Sequence, residues 1–385
     1  MKVALLSDCY LPRLGGIEVQ VHDLAQRLTA RGHEVSVFTA TPGPHGERGG
    51  FVDVVDGLEV HRLALRLPFE LPVNPFAPDE LRRRLGEGRY DVAHVHMGVV
   101  SPFAVDAARV TTALGLPTTM TWHCMLGTVE PLLRAAGYVR GWARRGVAMN
   151  AVSAVAAAPL QRVLGDAGTV AILPNGIDLA AWTPVDGRPA AAVAQESGRG
   201  VRVVSAMRLA ARKRPLPLLR AMARARELVP ADVPFTLEVI GDGPDRARLE
   251  RFVATHGMGD WVTLVGRVAR EQLRATYAAS DIYVAPALLE SFGIAALEAR
   301  TVGLPVVGRR GSGLGEYVQD GVNGFLAVDD EALATCVARL VVDDALRARM
   351  AEHNQAVPPE QSWPQVIERA EAEYARAMAL TGVRS

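Results

Sequence analysis

Two rhythms of apolar residues alternate along the chain. "KVALLSD" is a continuous apolar run of the buried-strand type, "GGIEVQVHDLAQRLTARGH" carries apolar residues at helical spacing, and "EVSVFTA" is again short and β-branched. "VVDGLEVHRL" predicts a hairpin about Asp56-Gly57, "ELRRRLGEGRYDVAHVH" a helix then a strand, and "PTTMTWHC" and "GVAMNAVSA" two more strands. Periodicity then fades, and Pro, Gly, Ala and Ser accumulate near residues 180–199, which predicts a linker. The pattern restarts beyond it. "VRVVSAMR", "FTLEVIGDG", "WVTLVG", "DIYVAP", "LPVVG" and "GFLAV" read as strands, and "PLPLLRAMARARELV", "DRARLERFVATHG", "REQLRATYAAS" and "SFGIAALEARTVG" as helices between them. Helices alternating with strands predict parallel sheets. The expectation is an α/β protein of two doubly wound, Rossmann-like domains, residues 1–182 and 198–362, with a cleft between the C-terminal edges of the two sheets. No short repeat, low-complexity tract or heptad pattern interrupts this reading.

Composition removes several functions. The chain has 385 residues, 49% hydrophobic and 22% charged, with a formal net charge of zero. There is no basic excess to hold a polyanion, so nucleic acid is not expected as a partner. Cys9, Cys124 and Cys336 are odd in number and far apart, which fits a reducing compartment better than a disulfide framework. The apolar run in "MKVALLSDCYLP" is too short for a signal peptide, and no stretch approaches the roughly 20 apolar residues of a membrane span. A soluble cytoplasmic protein is expected. Of 42 basic residues only Lys2 and Lys213 are lysine. An internal lysine in so arginine-rich a chain invites a specific explanation, because lysine presents a compact point charge where arginine presents a planar fork.

The candidate chemistry lies at strand-to-helix turns, where open α/β sheets bind ligands. After the first strand, "SDCYLPRLGGIEVQ" lacks the dinucleotide fingerprint G-x-G-x-x-G. Its Gly15 and Gly16 either admit a phosphate to free backbone N–H groups or merely shape a tight turn. In "LLESFGIAALEAR", Glu290 and Glu298 lie eight residues apart on either side of a helix start. With Ser291 as the cap, the N–H groups of Phe292, Gly293 and Ile294 would be open to an anion, while the two carboxylates would suit hydroxyl groups. A ligand with both phosphates and hydroxyls is a nucleotide sugar. The plainer alternative is a helix-start charge and a solvated helix residue. Arg208 and Lys213 follow the first strand of the second half, with Pro215 opening the next helix, and could clamp a departing pyrophosphate. Gly241 and Gly243 would leave a strand end open for a flat base or ribose. His94 and His96 share one strand face and His123 ends another strand. No carboxylate motif supports a three-histidine metal site, so a single active-site His123 is the reading adopted. Cys124 points away from it. No D-x-D pair, G-x-S-x-G elbow or Walker loop is present, and metal dependence is not expected.

Taken in order, these motifs resemble the GT-B glycosyltransferases, in particular the retaining enzymes of glycosyltransferase family 4. The resemblance spans essentially the whole chain: "GGIE", "DVAHVH", "TWHC", "LPNGID", the Arg208 and Lys213 pair, "GDGP", "ESFGIAALE" as the E-x7-E element, and "GLGEYVQDGVNGFL". "QSWPQVIERAEAEYARAM" resembles the family's terminal helix, which crosses back onto the first domain and here would occupy about residues 363–385. One departure is Met207 where glycine usually precedes the arginine, which is expected to crowd the loop slightly and leave the cation in place.

The resemblance implies roles. Glu298 would hydrogen-bond the ribose of a nucleoside diphosphate, Glu290 the donor sugar's hydroxyls, and the Phe292 to Ile294 backbone the phosphate or sugar between them. Arg208 and Lys213 would neutralise the leaving diphosphate, Gly16 would let the first domain close over it, and His123 would contact the donor sugar near the reacting carbon. The acceptor hydroxyl would attack on the leaving group's own face and give its proton to a donor phosphate oxygen, with no protein nucleophile. Uridine is preferred to guanosine from frequency in the family. The acceptor, whether sugar, lipid or small molecule, has no legible motif. "ELRRRLGEGR" and "VRGWARRG" suit a solvated helix face, the preferred reading, or weak peripheral contact with an anionic membrane. Two rival readings are a nicotinamide-dependent Rossmann oxidoreductase, opposed by the missing fingerprint and by threonines at the end of the second strand, and a non-catalytic nucleotide-sugar binding protein.

Overall fold

The structure, a computed structural model, describes residues 1–13, 15–43, 50–65, 74–99, 101–183 and 200–382. Most of the linker expected near residues 180–199 lies outside them. The chain divides into two compact units, Met1–Gly176 with Trp363–Ser385, and Ile177–Ser362.

The first unit is built on eight strands: β1 (Lys2–Ser7), β2 (Glu34–Thr39), β3 (Phe51–Val55), β4 (Leu58–Arg62), β5 (Val92–Met97), β6 (Thr118–Trp122), β7 (Ala148–Ala151) and β8 (Val170–Ile172). Their order is β3-β4-β2-β1-β5-β6-β7-β8, parallel except where β3 runs against β4. That hairpin turns at Asp56 (φ 48°) and Gly57 (φ 81°), the two positive φ angles that match a two-residue turn to the twist of the strands. Helix α1 (Gly16–Ala30) buries Val21, Leu24, Ala25 and Leu28, spaced to share one face. They join one apolar cluster with Ile367, Ala370, Tyr374 and Ala377 of the last helix (Trp363–Leu380), and this burial holds the C-terminal segment on the first unit. Helix α2 (Ala77–Gly88) carries part of the arginine-rich stretch, and its charges are met within the protein. Arg83 pairs with Glu80 and Glu87, and Arg84 with Glu80. Among the described residues no helix is long and apolar enough to cross a membrane.

The second unit holds β9 (Val201–Ala206), β10 (Phe235–Ile240), β11 (Val262–Gly266), β12 (Ile282–Ala285), β13 (Val306–Arg309) and β14 (Gly324–Ala327), all parallel, in the order β11-β10-β9-β12-β13-β14. Both expected doubly wound sheets are therefore present. In each, strand order reverses beside the first strand, between β1 and β5 and between β9 and β12. At such a reversal the adjacent loops leave in opposite directions and open a crevice at the strands' C-terminal ends. The boundary differs from the expected residue 182. The short helix Leu179–Trp182 belongs to the second unit, where buried Trp182 packs 5.8 Å from the Tyr277 ring and the Ala181 carbonyl accepts from Arg274 Nη1 at 3.0 Å. A large aromatic follows its burial rather than the fading of sequence periodicity.

Candidate active site

In the second unit, the chain leaving β9 keeps running beside β10. Met207 N–H donates to the Ile240 carbonyl and Leu209 N–H to the Asp242 carbonyl, both at 2.9 Å. This close approach explains the two glycines of "GDGP". A Cβ on Gly241, whose φ is +124°, would lie 1.9 Å from the Met207 carbonyl oxygen, and one on Gly243 would lie 2.4 Å from that of Leu209. The Cβ side of each is thus filled by the protein's own backbone, and this close approach requires glycine there. Met207 packs its side chain against the second unit's apolar core and leaves Arg208 exposed on the loop.

A single 3₁₀ turn, Ala211–Lys213, and a left-handed Arg214 then lead into α8 (Pro215–Leu228), with proline at the first helical position. Lys213 Nζ lies 2.5 Å from Glu290 Oε2, a contact between side chains 77 residues apart. The pair is partly buried, with side-chain exposures of 24% and 15%, so its charges are less screened than those of a surface ion pair.

Glu290 stands on the loop after β12, and the turn following it departs from expectation. Helix α11 (Ile294–Val302) is entered through Gly293 in the left-handed region (φ 84°, ψ 60°), with no side-chain cap, so Ser291 is not the cap. Glycine adopts this conformation at little cost, and the backbone itself makes the turn. Its carbonyls are held by groups the sequence reading had not singled out. The Tyr317 hydroxyl donates to the Phe292 and Gly293 carbonyls at 2.8 and 2.6 Å, and Gly313 N–H donates to that of Glu290 at 2.7 Å. The Phe292 side chain is buried against Tyr317, so it is the backbone of this turn that can meet a ligand. Ile294 and Ala295 carry N–H groups ahead of the first intrahelical bond.

Glu298 lies one turn into α11, 8% exposed, with Oε1 3.8 Å from Arg270 Nη2. Arg270 opens α10 (Arg270–Ala278), and its guanidinium lies 5.7 Å from the Trp182 ring. The buried hydroxyls of Tyr283 and Tyr317 sit within the field of both Glu290 and Glu298. Burial first, and those carboxylates next in part, push both phenols above their ordinary range and keep them as neutral donors.

In the first unit, Gly15 flanks α1 in extended backbone, and a Cβ there would lie 2.3 Å from Glu18 Oε2. This helix start, where the two glycines either admit a phosphate or merely shape the turn, carries the protein's own carboxylate, with Arg13 Nε 3.4 Å from Glu18 Oε1. Gly16 is the first residue of the helix. At the end of β1, Asp8 Oδ1 accepts from Phe103 N–H at 3.0 Å, and burial pushes this carboxyl up to about 6. His123 follows β6, fixed by its N–H to the Met97 carbonyl at 2.9 Å. Its Nε2 meets His96 Nδ1 at 2.9 Å, and His96 stacks on His94 with ring centroids 4.1 Å apart. Burial pushes His123 down to about 4, against a smaller opposing effect of its hydrogen bond with Asn175, so the imidazole is neutral at pH 7. His123, His96, Asn175, Gln20 and Trp363 line one small cavity of this unit. No cluster of three or more His, Cys, Asp or Glu side chains suited to a metal occurs among the described residues.

Sequence and structure comparisons give the family. Residues 14–181 match the family described as "Glycosyltransferase Family 4", and residues 192–357 match "Glycosyl transferases group 1". A D-inositol 3-phosphate glycosyltransferase of Pseudarthrobacter chlorophenolicus is 30% identical over 87% of this chain and 84% of its own length. The chain is a GT-B glycosyltransferase of family 4. The enzyme is also 28% identical, over 90% of its length and 91% of the relative's, to a GDP-mannose-dependent alpha-(1-6)-phosphatidylinositol monomannoside mannosyltransferase of Mycolicibacterium smegmatis. Among solved structures, Anabaena Alr3699/HepE in complex with UDP and glucose shares the glycosyltransferase's fold, with a TM-score of 0.75 at 20% identity over 97% of this chain and 98% of that one.

Proposed function

We propose that this glycosyltransferase moves a sugar from a nucleoside diphosphate sugar to an acceptor hydroxyl with retention of anomeric configuration, without a resident metal. The donor proposed is a UDP-sugar, with a GDP-sugar as the alternative. The observation that carries the reading is the Lys213–Glu290 pair at the β9/β12 strand reversal, beside the Gly293 turn. It brings a cation and a hydroxyl-binding carboxylate to one point, as a ligand with a diphosphate and a sugar requires.

On this account Lys213 and Arg208 face the diphosphate, Glu290 takes a sugar hydroxyl once Lys213 turns to the phosphate, and Glu298 takes the ribose hydroxyls. The N–H groups of the Phe292 to Ile294 turn meet the phosphate or sugar, and neutral His123 donates to or accepts from the sugar near the reacting carbon. The bond between the anomeric carbon and the phosphate oxygen breaks, and the acceptor oxygen bonds to that carbon on the same face. The acceptor proton passes to the departing phosphate oxygen. Two cations offset the charge that develops there, which is the task a metal performs in other transferases. Names of relatives support the donor class, since HepE binds UDP and the mycolicibacterial relative uses GDP-mannose.

The test is transfer from UDP- and GDP-sugars to a panel of hydroxyl acceptors in EDTA, with the product linkage read by NMR. An axial donor should yield an axial product, and the rate should be unaffected by the chelator. An inverted linkage would contradict the same-face step, and abolition by EDTA with rescue by a divalent cation would contradict the cation clamp.

A further inference from the structure

Arg214 is in an unusual conformation for its residue type. Its backbone is left-handed (φ 59°, ψ 45°), and it immediately precedes Pro215. A residue with a Cβ is disfavoured there by crowding against its own backbone, and the following proline ring restricts it further. Among the described residues the two other non-glycine residues with positive φ, Asp56 and Arg89, sit at a hairpin turn and a helix C-terminus, where such angles are common. Glycine would relieve the strain at 214, yet the position carries a long side chain whose two terminal nitrogens are engaged by neighbouring elements. Nη1 and Nη2 form a two-pronged contact with Asp330 at 3.0 and 2.8 Å, and Nη1 also reaches the Pro286 carbonyl at 3.2 Å. Asp330 begins α12 (Asp330–Val342) and receives a second guanidinium from Arg309 at the end of β13. Pro286 starts the loop that bears Glu290.

We infer that Arg214 is a positioning residue: its contact to the Pro286 carbonyl ties the turn that carries Lys213 to the loop that carries Glu290, and its two-pronged contact with Asp330 anchors the guanidinium that makes this tie. Lys213 and Glu290 contact each other directly, and that contact must open if Lys213 is to meet a diphosphate. A second tie between the same two loops, through the Pro286 carbonyl, keeps the ammonium in place while its own partner changes. Strain in the backbone at 214 is tolerated because the side chain makes this tie. The inference rests on the proposed role of Lys213 toward the leaving diphosphate.

The test is a double-mutant cycle between Arg214→Gly and Lys213→Ala, with Asp330→Asn as a second way to weaken the tie and thermal unfolding to verify the fold. Arg214→Gly relaxes the backbone and removes the side chain, so the expected result is an intact fold, a kcat lower by about tenfold, and a donor KM within about twofold of wild type. Asp330→Asn should move kcat in the same direction. In the Lys213→Ala background, Arg214→Gly should cost no more than a further twofold, because a residue that acts through Lys213 has nothing left to position. A wild-type kcat in Arg214→Gly, or the same tenfold loss with and without Lys213, would overturn the inference. Full activity of Lys213→Ala alone would instead remove the role of Lys213, and the positioning role with it. The single variants thus separate the two failures.

Discussion

Lys213→Ala is expected to lower kcat by about 10² to 10³-fold, the range seen when one preorganised donor to a developing charge is removed. Donor KM should rise by less, because the charge Lys213 offsets grows as the phosphate departs and is smaller in the bound ground state. Two observations single this residue out. It is one of two lysines among 42 basic residues, and its ammonium is held by Glu290 in a partly buried contact. Alanine also leaves the Glu290 carboxylate without its cation, which raises the cost of bringing a second anion beside it. Arg208→Ala should act in the same direction, since its exposed side chain leaves the same strand end. Steady-state kinetics at saturating acceptor provide the check, and wild-type kcat in both variants would remove the cation clamp from the account.

Gly241→Ala should be the most damaging of the small substitutions. The new methyl would lie 1.9 Å from the Met207 carbonyl, and φ at this position is +124°, outside the range of residues with a Cβ. Backbone strain and overpacking each cost about 1–3 kcal/mol, and together they give roughly 3 kcal/mol or more. For a unit of this size that is a Tm lower by about 6–12 °C. The displaced segment is Met207 to Leu209, so Arg208 moves and turnover falls as well. Gly257→Ala is the control, with φ +61° and no atom within 4 Å of the added methyl. It should cost about 1 kcal/mol and leave turnover unchanged. Calorimetric unfolding of the two variants separates close approach from backbone strain alone, and equal Tm values would contradict the packing argument.

Legibility in the sequence followed the physical range of each signal. The six strands of the second sheet were readable because each is a short run rich in apolar and β-branched residues, bounded by turn residues, that needs no partner to be recognised. The Asp56-Gly57 hairpin was readable because its turn chemistry is confined to two residues. By contrast β8, only Val170–Ile172, is not legible, since three residues, two half-buried and one exposed, give no period. The start of α11 was misplaced because serine is a common cap, whereas the actual cap depends on Gly293 and on the Tyr317 hydroxyl 24 residues away. The packing of "GDGP" is not legible, because glycine in sequence shows only that a Cβ is missing, and the backbone packed against it comes from another loop. Residue type and motif position make the candidate residues legible, but the Lys213–Glu290 contact, the Arg270 neighbour of Glu298 and the His96–His123 hydrogen bond join distant segments and only the folded chain reveals them.

A nicotinamide-dependent dehydrogenase would place a pyrophosphate at the start of α1. There the Glu18 carboxylate already folds over Gly15, and a second anion would be repelled. A nucleoside diphosphate bound in the second unit, with its ribose on Glu298, is the alternative, and it carries the account.

The most direct measurement is calorimetric titration of the protein with UDP, GDP, ADP and NAD, alongside Glu298→Ala. The prediction is that UDP or GDP binds and that the variant weakens it by about tenfold or more, with NAD not bound. NAD binding alone, or nucleoside diphosphate binding with an unchanged dissociation constant in Glu298→Ala, would contradict it.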